Sequence, residues 1–237
     1  QSLEEWLAPV ALINDEVSRL AITYSHPEWI VSAYFDLLRD FEEVRSLLEA
    51  NNSPAKPTFV TWPGRSEISE FHEWGAIQTP YSPYGFRADV VPSALEAVRH
   101  RRAGVQDEGS QLVASIFAQA AADKSSWLDL CAGPGGKAAL LASIAGQGDH
   151  RFVANEISQI RADLVKQVVG THEVWVGDAR EIATRGEGFD AILADVPCTG
   201  MGALRRRPEV RWRRSLSDLR ELGVLQREIS DAAISIL

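Results

Sequence analysis

The stretch Trp127–Lys137, WLDLCAGPGGK, decides how the rest of the chain is read. Its first half is apolar and stops at Asp129; its second half is a turn built from Gly133, Pro134, Gly135 and Gly136. A strand that runs into such a turn leaves main-chain N–H groups open to close approach by a ligand, because no side chains intervene. Ala138 to Ala145 is rich in alanine and leucine, which predicts a helix directly after the turn.

Spacing narrows the ligand. A P-loop needs glycine well ahead of the Gly-Lys pair and Ser or Thr behind it, but Cys131 and Ala138 stand there, so Walker A is excluded. The dinucleotide fingerprint is partly met by Gly133, Gly135 and Ala138, which leaves a nicotinamide or flavin open. Arg151 to Asn155 reads as a second short strand, and Glu156 at its end stands where an acid holds ribose hydroxyls. That serves NAD and S-adenosylmethionine equally. Two further apolar runs, Glu173 to Gly177 and Phe189 to Ala194, end at Asp178 and Asp195. In an open, mostly parallel sheet these strand-end acids, Asp129, Glu156, Asp178 and Asp195, converge on one crevice. Any one of them alone reads equally well as a helix N-cap or a solvated loop acid; their regular recurrence favours a site.

At this point the chain resembles the RNA cytosine-C5 methyltransferases, most closely the bacterial ribosomal-RNA small-subunit methyltransferase B (Sun or Fmu) group. The blocks that carry the likeness are DLCAGPGGK at 129–137, Glu156, Asp178 and DVPCTGMGALRRRPEVRW at 195–212. SHPEWIV at 25–31 and GVQDEGSQLVA at 104–114 extend it over most of the chain. Similar proteins commonly carry alanine at the position of Gly133 and threonine at that of Ala138. The resemblance implies an α/β fold: a class I, Rossmann-like S-adenosylmethionine-dependent sheet with a smaller N-terminal α/β subdomain. It implies formation of 5-methylcytosine in 16S ribosomal RNA through a covalent cysteine–C6 adduct. The donor would lie along Cys131, Ala132, Gly133, Pro134, Gly135, Gly136 and Lys137, with Glu156 on the ribose and Asp178 on the adenine amino group. Asp195 would lie between donor and base.

The chemistry gives such residues work to do. Cytosine C5 is a poor nucleophile until a thiolate adds to C6, and an acid at N3 offsets the charge that develops during the attack. By resemblance that acid is Asp195, while Cys198, after Pro197, assists product release. In similar proteins the attacking thiol belongs to a later Thr-Cys motif. The family nucleophile is therefore expected beyond Leu237, with the catalytic domain truncated at its C-terminus.

Composition bounds the alternatives. Acids outnumber bases, for a net charge of −9, which opposes general attraction to RNA phosphates. Against that background Arg205, Arg206, Arg207, Arg211, Arg213 and Arg214 crowd one segment with only Glu209 opposing them. Of these, Arg205, Arg206, Arg207 and Arg211, with Trp212 for stacking, are the expected RNA contacts. Arg99, His100, Arg101 and Arg102 form a second cluster, and Tyr81, Tyr84 and Phe86 read equally as RNA-facing or as loop packing. Two cysteines without metal-ligand spacing, and no signal peptide or membrane-length apolar run, imply a cytoplasmic protein with no zinc site or disulfide. Cys131 reads as a buried packing residue.

Residues 1–24 carry Trp6, Leu7, Val10, Leu12, Ile13, Val17 and Leu20 at helical spacing, and by resemblance are the tail of an upstream NusB-like domain. Residues 25–105 are expected to form a small RNA-recognition-like subdomain and 106–237 the catalytic domain. Within them, Trp29 to Leu48 predicts one long helix, Thr58 to Trp62 a strand and Ser110 to Ala121 a helix, with His26 capping or packing. Two rival functions stay open: a nucleotide-dependent oxidoreductase, and a noncatalytic RNA-binding protein on a methyltransferase scaffold.

Overall fold

The computed structural model describes residues 2, 4–5 and 8–237; Trp6 and Leu7 lie outside the described residues. The chain divides into two compact units, one of residues 1–55 with 198–224, the other of residues 56–197 with 225–237.

The first unit is helical. Helix α1, Glu16–Thr23, starts where the Asp15 carboxylate accepts from Ser18 N at 2.7 Å. The expected single helix over Trp29 to Leu48 is two, α2 at Glu28–Leu38 and α3 at Phe41–Asn52. Arg39 takes a left-handed φ of 59°, and Asp40 caps the new helix by accepting from Glu42 N at 2.7 Å. Apolar periodicity survived the break, which is why the pattern alone missed it. Leu20, Ala21, Val31, Val44 and Leu48 bury into one cluster. The boundary expected between residues 24 and 25 therefore falls inside a single core. The segment 198–224, expected in the catalytic body, groups with these helices, and includes α8 at Val210–Arg213.

The second unit holds two sheets. Strands β1 (Phe59–Thr61), β2 (Ile77–Gln78), β3 (Gly85–Arg87) and β4 (Ala103–Val105) pair antiparallel in the order β2-β3-β1-β4. Phe86 stacks on Phe59 and Phe71 at ring distances of 5.1 and 4.4 Å, with the short helix α4, Glu96–Arg99, beside the strands. Helix α5, Glu108–Ala120, then leads into β5 (Ser126–Asp129), α6 (Gly136–Ala145), β6 (Arg151–Glu156), α7 (Gln159–Lys166), β7 (Glu173–Val176) and β8 (Ala191–Leu193). These strands form a parallel sheet in the order β7-β6-β5-β8. The architecture is the Rossmann-like α/β sheet expected. The small sheet is joined to it: Val60 and Trp62 bury with Trp127 and Leu140, and Gln111 Nε2 donates to Phe59 O at 3.1 Å. Helix α9, Leu216–Ile234, is long, but no helix among the described residues is long and apolar enough to cross a membrane.

Alternation sets the two faces of the parallel sheet. Trp127, Phe152 and Ala154 fill the core on one side, Leu128, Leu130 and Val153 that on the other. Register then places Asp129 opposite both Ala154 and Leu193, and Glu156 opposite Val176, so the strand-end acids share one edge. A residue the sequence did not single out fixes that edge. Asn155, 1% exposed, donates through Nδ2 to Leu130 O at 3.1 Å and Gly177 O at 3.2 Å, tying together the loops after β5 and β7. Asn155→Leu strips both carbonyls of their partner, and urea denaturation should show a loss of about 2–4 kcal/mol. An unchanged midpoint would mean that these loops hold their positions without it.

Candidate cofactor crevice and arginine segment

The glycine turn closes against Glu156. Gly133 N donates to Glu156 Oε2 at 3.1 Å, and Ser158 N to Oε1 at 2.8 Å, while Arg161 reaches Oε1 at 2.5 Å. A Cβ on Gly133 would stand 2.0 Å from Oε2, so the alanine of similar proteins requires this carboxylate to move. Gly135, with φ of 112° and Val168 and Val165 packed behind it, turns the chain into α6.

On the other side of the turn, Lys137 Nζ meets Asp195 Oδ2 at 2.6 Å, joining the start of α6 to the loop beyond β8. Asp129 lies beneath, 1% exposed, with no hydrogen bond to either carboxylate oxygen among the described residues. Burial pushes its carboxyl up to about 7, against the pull of Lys137; Asp195 and Glu156 reinforce the rise. Cys131 is half-buried, and desolvation, then the carboxylates of Asp129, Glu156 and Asp195, push its thiol up to about 12. It stays a neutral thiol and is no nucleophile at ordinary pH. Ala132 is buried, with its N–H donating to Asn155 O at 2.9 Å.

Asp178 follows β7 and is engaged at once: it accepts from Arg180 N at 2.9 Å, and the Arg180 guanidinium grips both its oxygens, holding its carboxyl below the usual range. Asp129, Glu156 and Asp195 thus lie within electrostatic reach of one another, with Asp178 on the same sheet edge. No group of His, Cys, Asp and Glu among the described residues is arranged to hold a metal ion.

The arginine segment divides by structural role. Arg211, expected on the RNA surface, is 3% exposed: its Nη1 donates to Ser25 O at 3.0 Å and Asn52 Oδ1 at 2.8 Å, beside His26. Arg205, another expected RNA contact, donates to Ser53 O at 3.1 Å and Pro54 O at 3.0 Å. Both arginines answer carbonyls at the C-terminal ends of α1 and α3, where unsatisfied C=O groups and the helix dipole favour a cation. Charge counting in the sequence could not foresee this, because it depends on which helix ends lie in range. Arg207 and Trp212 are exposed, Arg207 at 3.4 Å from Glu209. Cys198 is exposed as well. Of the second cluster, Arg99 and Arg102 are occupied by Ser93 O and Glu70 respectively, and Phe86 is core while Tyr81 is exposed.

A family model described as 16S rRNA methyltransferase RsmB/F matches residues 116–237. The chain belongs to that family. It is 42% identical to the putative methyltransferase Rv1407 of Mycobacterium tuberculosis, over 97% of this chain and 51% of that protein. It is 32% identical to the ribosomal RNA small subunit methyltransferase B of Vibrio cholerae, over 88% of this chain and 50% of the relative. The chain therefore spans about half the length of the curated relatives it matches. The crystal structure of PH0851 superposes with a TM-score of 0.81 over 94% of this chain and 53% of that one, at 22% identity, and shares its fold.

Arg211 has a consequence for acid stability. His26 is 2% exposed, and burial, then the adjacent Arg211 charge, push its imidazole down to about 4. A folded value below the unfolded one means stability is full above about pH 6.5 and falls as the pH drops towards 4. Between pH 6.5 and 5 the unfolding free energy should fall by about 1.5 kcal/mol from this residue, and His26→Gln should flatten that part of the slope. His172, also lowered by burial, keeps the remainder. Identical slopes in the two proteins would show that His26 is not held neutral.

Proposed function

We propose that this chain binds S-adenosylmethionine in the crevice at the ends of β5, β6, β7 and β8 and forms 5-methylcytosine in ribosomal RNA, 16S rRNA being the expected acceptor. The observation that carries the reading is the linked set Glu156–Gly133 and Lys137–Asp195 around the glycine turn. The donor's fit is supported by two features. Gly133 and Gly135 pack so closely on Glu156, Val165 and Val168 that neither has room for a Cβ, so the turn carries no side chain there to cover its main-chain N–H groups, and the buried oxygens of Asp129, with Cys131 N–H the nearest backbone donor among the described residues, keep acceptor capacity beside a cationic ligand. When bound, the donor supplies an electrophilic methyl group on a sulfonium.

The chain's own residues bind, orient and move protons. The turn from Cys131 to Gly136 takes the methionine portion, Glu156 the ribose hydroxyls and Asp178 the adenine amino group. Glu156 keeps a lone pair beyond its three present donors, whereas both oxygens of Asp178 are taken by Arg180, whose guanidinium the adenine amino group would have to displace. Asp195 would face cytosine N3 and offset the charge that develops there, and Lys137 at 2.6 Å fixes its position. Cys198 assists release of the methylated base. The thiol that attacks C6 is assigned to no residue of this chain, and Cys131 is unsuited to the task because its thiol is pushed up to about 12.

Asp195→Asn should preserve binding of S-adenosylmethionine while lowering methyl transfer to 16S rRNA, measured with a labelled donor in the full-length protein, by roughly 10²-fold or more. Glu156→Ala should weaken donor binding by about 1–3 kcal/mol in calorimetry. Unchanged turnover in the first variant removes Asp195 from the mechanism; unchanged affinity in the second removes Glu156 from the ribose.

A further inference from the structure

Arg207, Arg213 and Arg214 line, together with Cys198, Thr199 and Gly200, a cavity of about 370 Å³. No acid contributes to its wall. Arg207 pairs with Glu209 at 3.4 Å and Arg214 with Asp218 at 3.5 Å, both partly exposed contacts that stabilise by about 0–1 kcal/mol and exchange readily for a stronger anion. Arg213 is exposed and has no hydrogen-bond or ion-pair partner among the described residues. Three guanidinium forks around one hollow match the oxygens of a phosphate, where a wider spread of charge would give only a diffuse field.

The hollow is also pre-formed. Arg205 and Arg211 anchor the segment to the helix ends that they cap, so the remaining arginines are presented on a fixed frame. A pre-formed site avoids part of the ordering cost of binding. The chain carries a net charge of −9, so attraction to a polyanion must come from such local concentrations of positive charge.

We propose that this cavity is a phosphodiester subsite for the acceptor RNA, and that the phosphate it holds flanks the nucleotide whose base is presented at Cys198, which lines the same wall. The assignment rests on the methyltransferase reading above. It replaces Arg205 and Arg211 with Arg213 and Arg214 as the side chains that grip the RNA backbone.

The test is binding of a single-stranded oligoribonucleotide as a function of salt, in wild type and in the combined variant Arg207→Gln, Arg213→Gln, Arg214→Gln. A contact to single-stranded RNA contributes about 0.7 to the slope of log K against log salt, so the combined variant should lose about 2. Arg213→Gln alone, an exposed change that leaves both ion pairs intact, should lose about 0.7, and Arg101→Gln nothing. A series of oligonucleotides with one neutral methylphosphonate linkage should show weakened binding to wild type at a linkage beside the target cytosine, and no such position for the combined variant. A wild-type slope that the variants retain, or equal sensitivity to the neutral linkage, overturns this subsite alone. A wild-type chain that binds RNA without salt dependence likewise overturns the subsite alone, whereas failure to bind S-adenosylmethionine overturns the methyltransferase reading on which it rests.

Discussion

Carboxylates crowded at one edge of a parallel sheet repel one another, and the way this edge relieves that repulsion organises the site. Glu156 is met by Arg161 and two backbone N–H groups, Asp178 by Arg180, and Asp195 by Lys137. Asp129 shares the pull of Lys137 with Asp195 and, fully buried, is pushed up to about 7. The edge is therefore short of positive charge by design of its sequence, and a cationic ligand is what it would favour most. The same crowding keeps the Cys131 thiol neutral and leaves the exposed Cys198 as the other free cysteine of the chain.

Structure and chemistry meet again in the arginine segment. Two of its arginines are spent on helix carbonyls, one of them buried, with Nε and Nη2 of Arg211 lacking partners among the described residues. Losing either would expose unsatisfied C=O groups at helix ends as well as removing charge. The remaining arginines gain a fixed frame from that anchoring. Surface charge and structural charge are thus interleaved along a few residues, and each needs the other in place.

Much of this was legible before any coordinates. The strands ending at Asp129, Glu156, Asp178 and Asp195, and the helix after the glycine turn, follow from apolar runs and breakers, and the structure has them at nearly those positions. What was not legible depends on tertiary contact. The break at Arg39 and Asp40 sits inside an unbroken apolar period, so only the cap geometry reveals it. The burial of Arg211 is set by the ends of α1 and α3, far away in sequence. Asn155 looked like an ordinary strand residue because its two acceptors lie on other loops.

The central claim, that the crevice around Gly133, Lys137, Glu156 and Asp195 is a methyl-donor site, is tested most directly by calorimetric titration of the wild-type chain with S-adenosylmethionine and, in parallel, with NAD. Saturable one-to-one binding of S-adenosylmethionine that Lys137→Met weakens, with no heat from NAD, is the predicted result. Saturable uptake of NAD with indifference to S-adenosylmethionine would contradict the account and return the glycine turn to a dinucleotide.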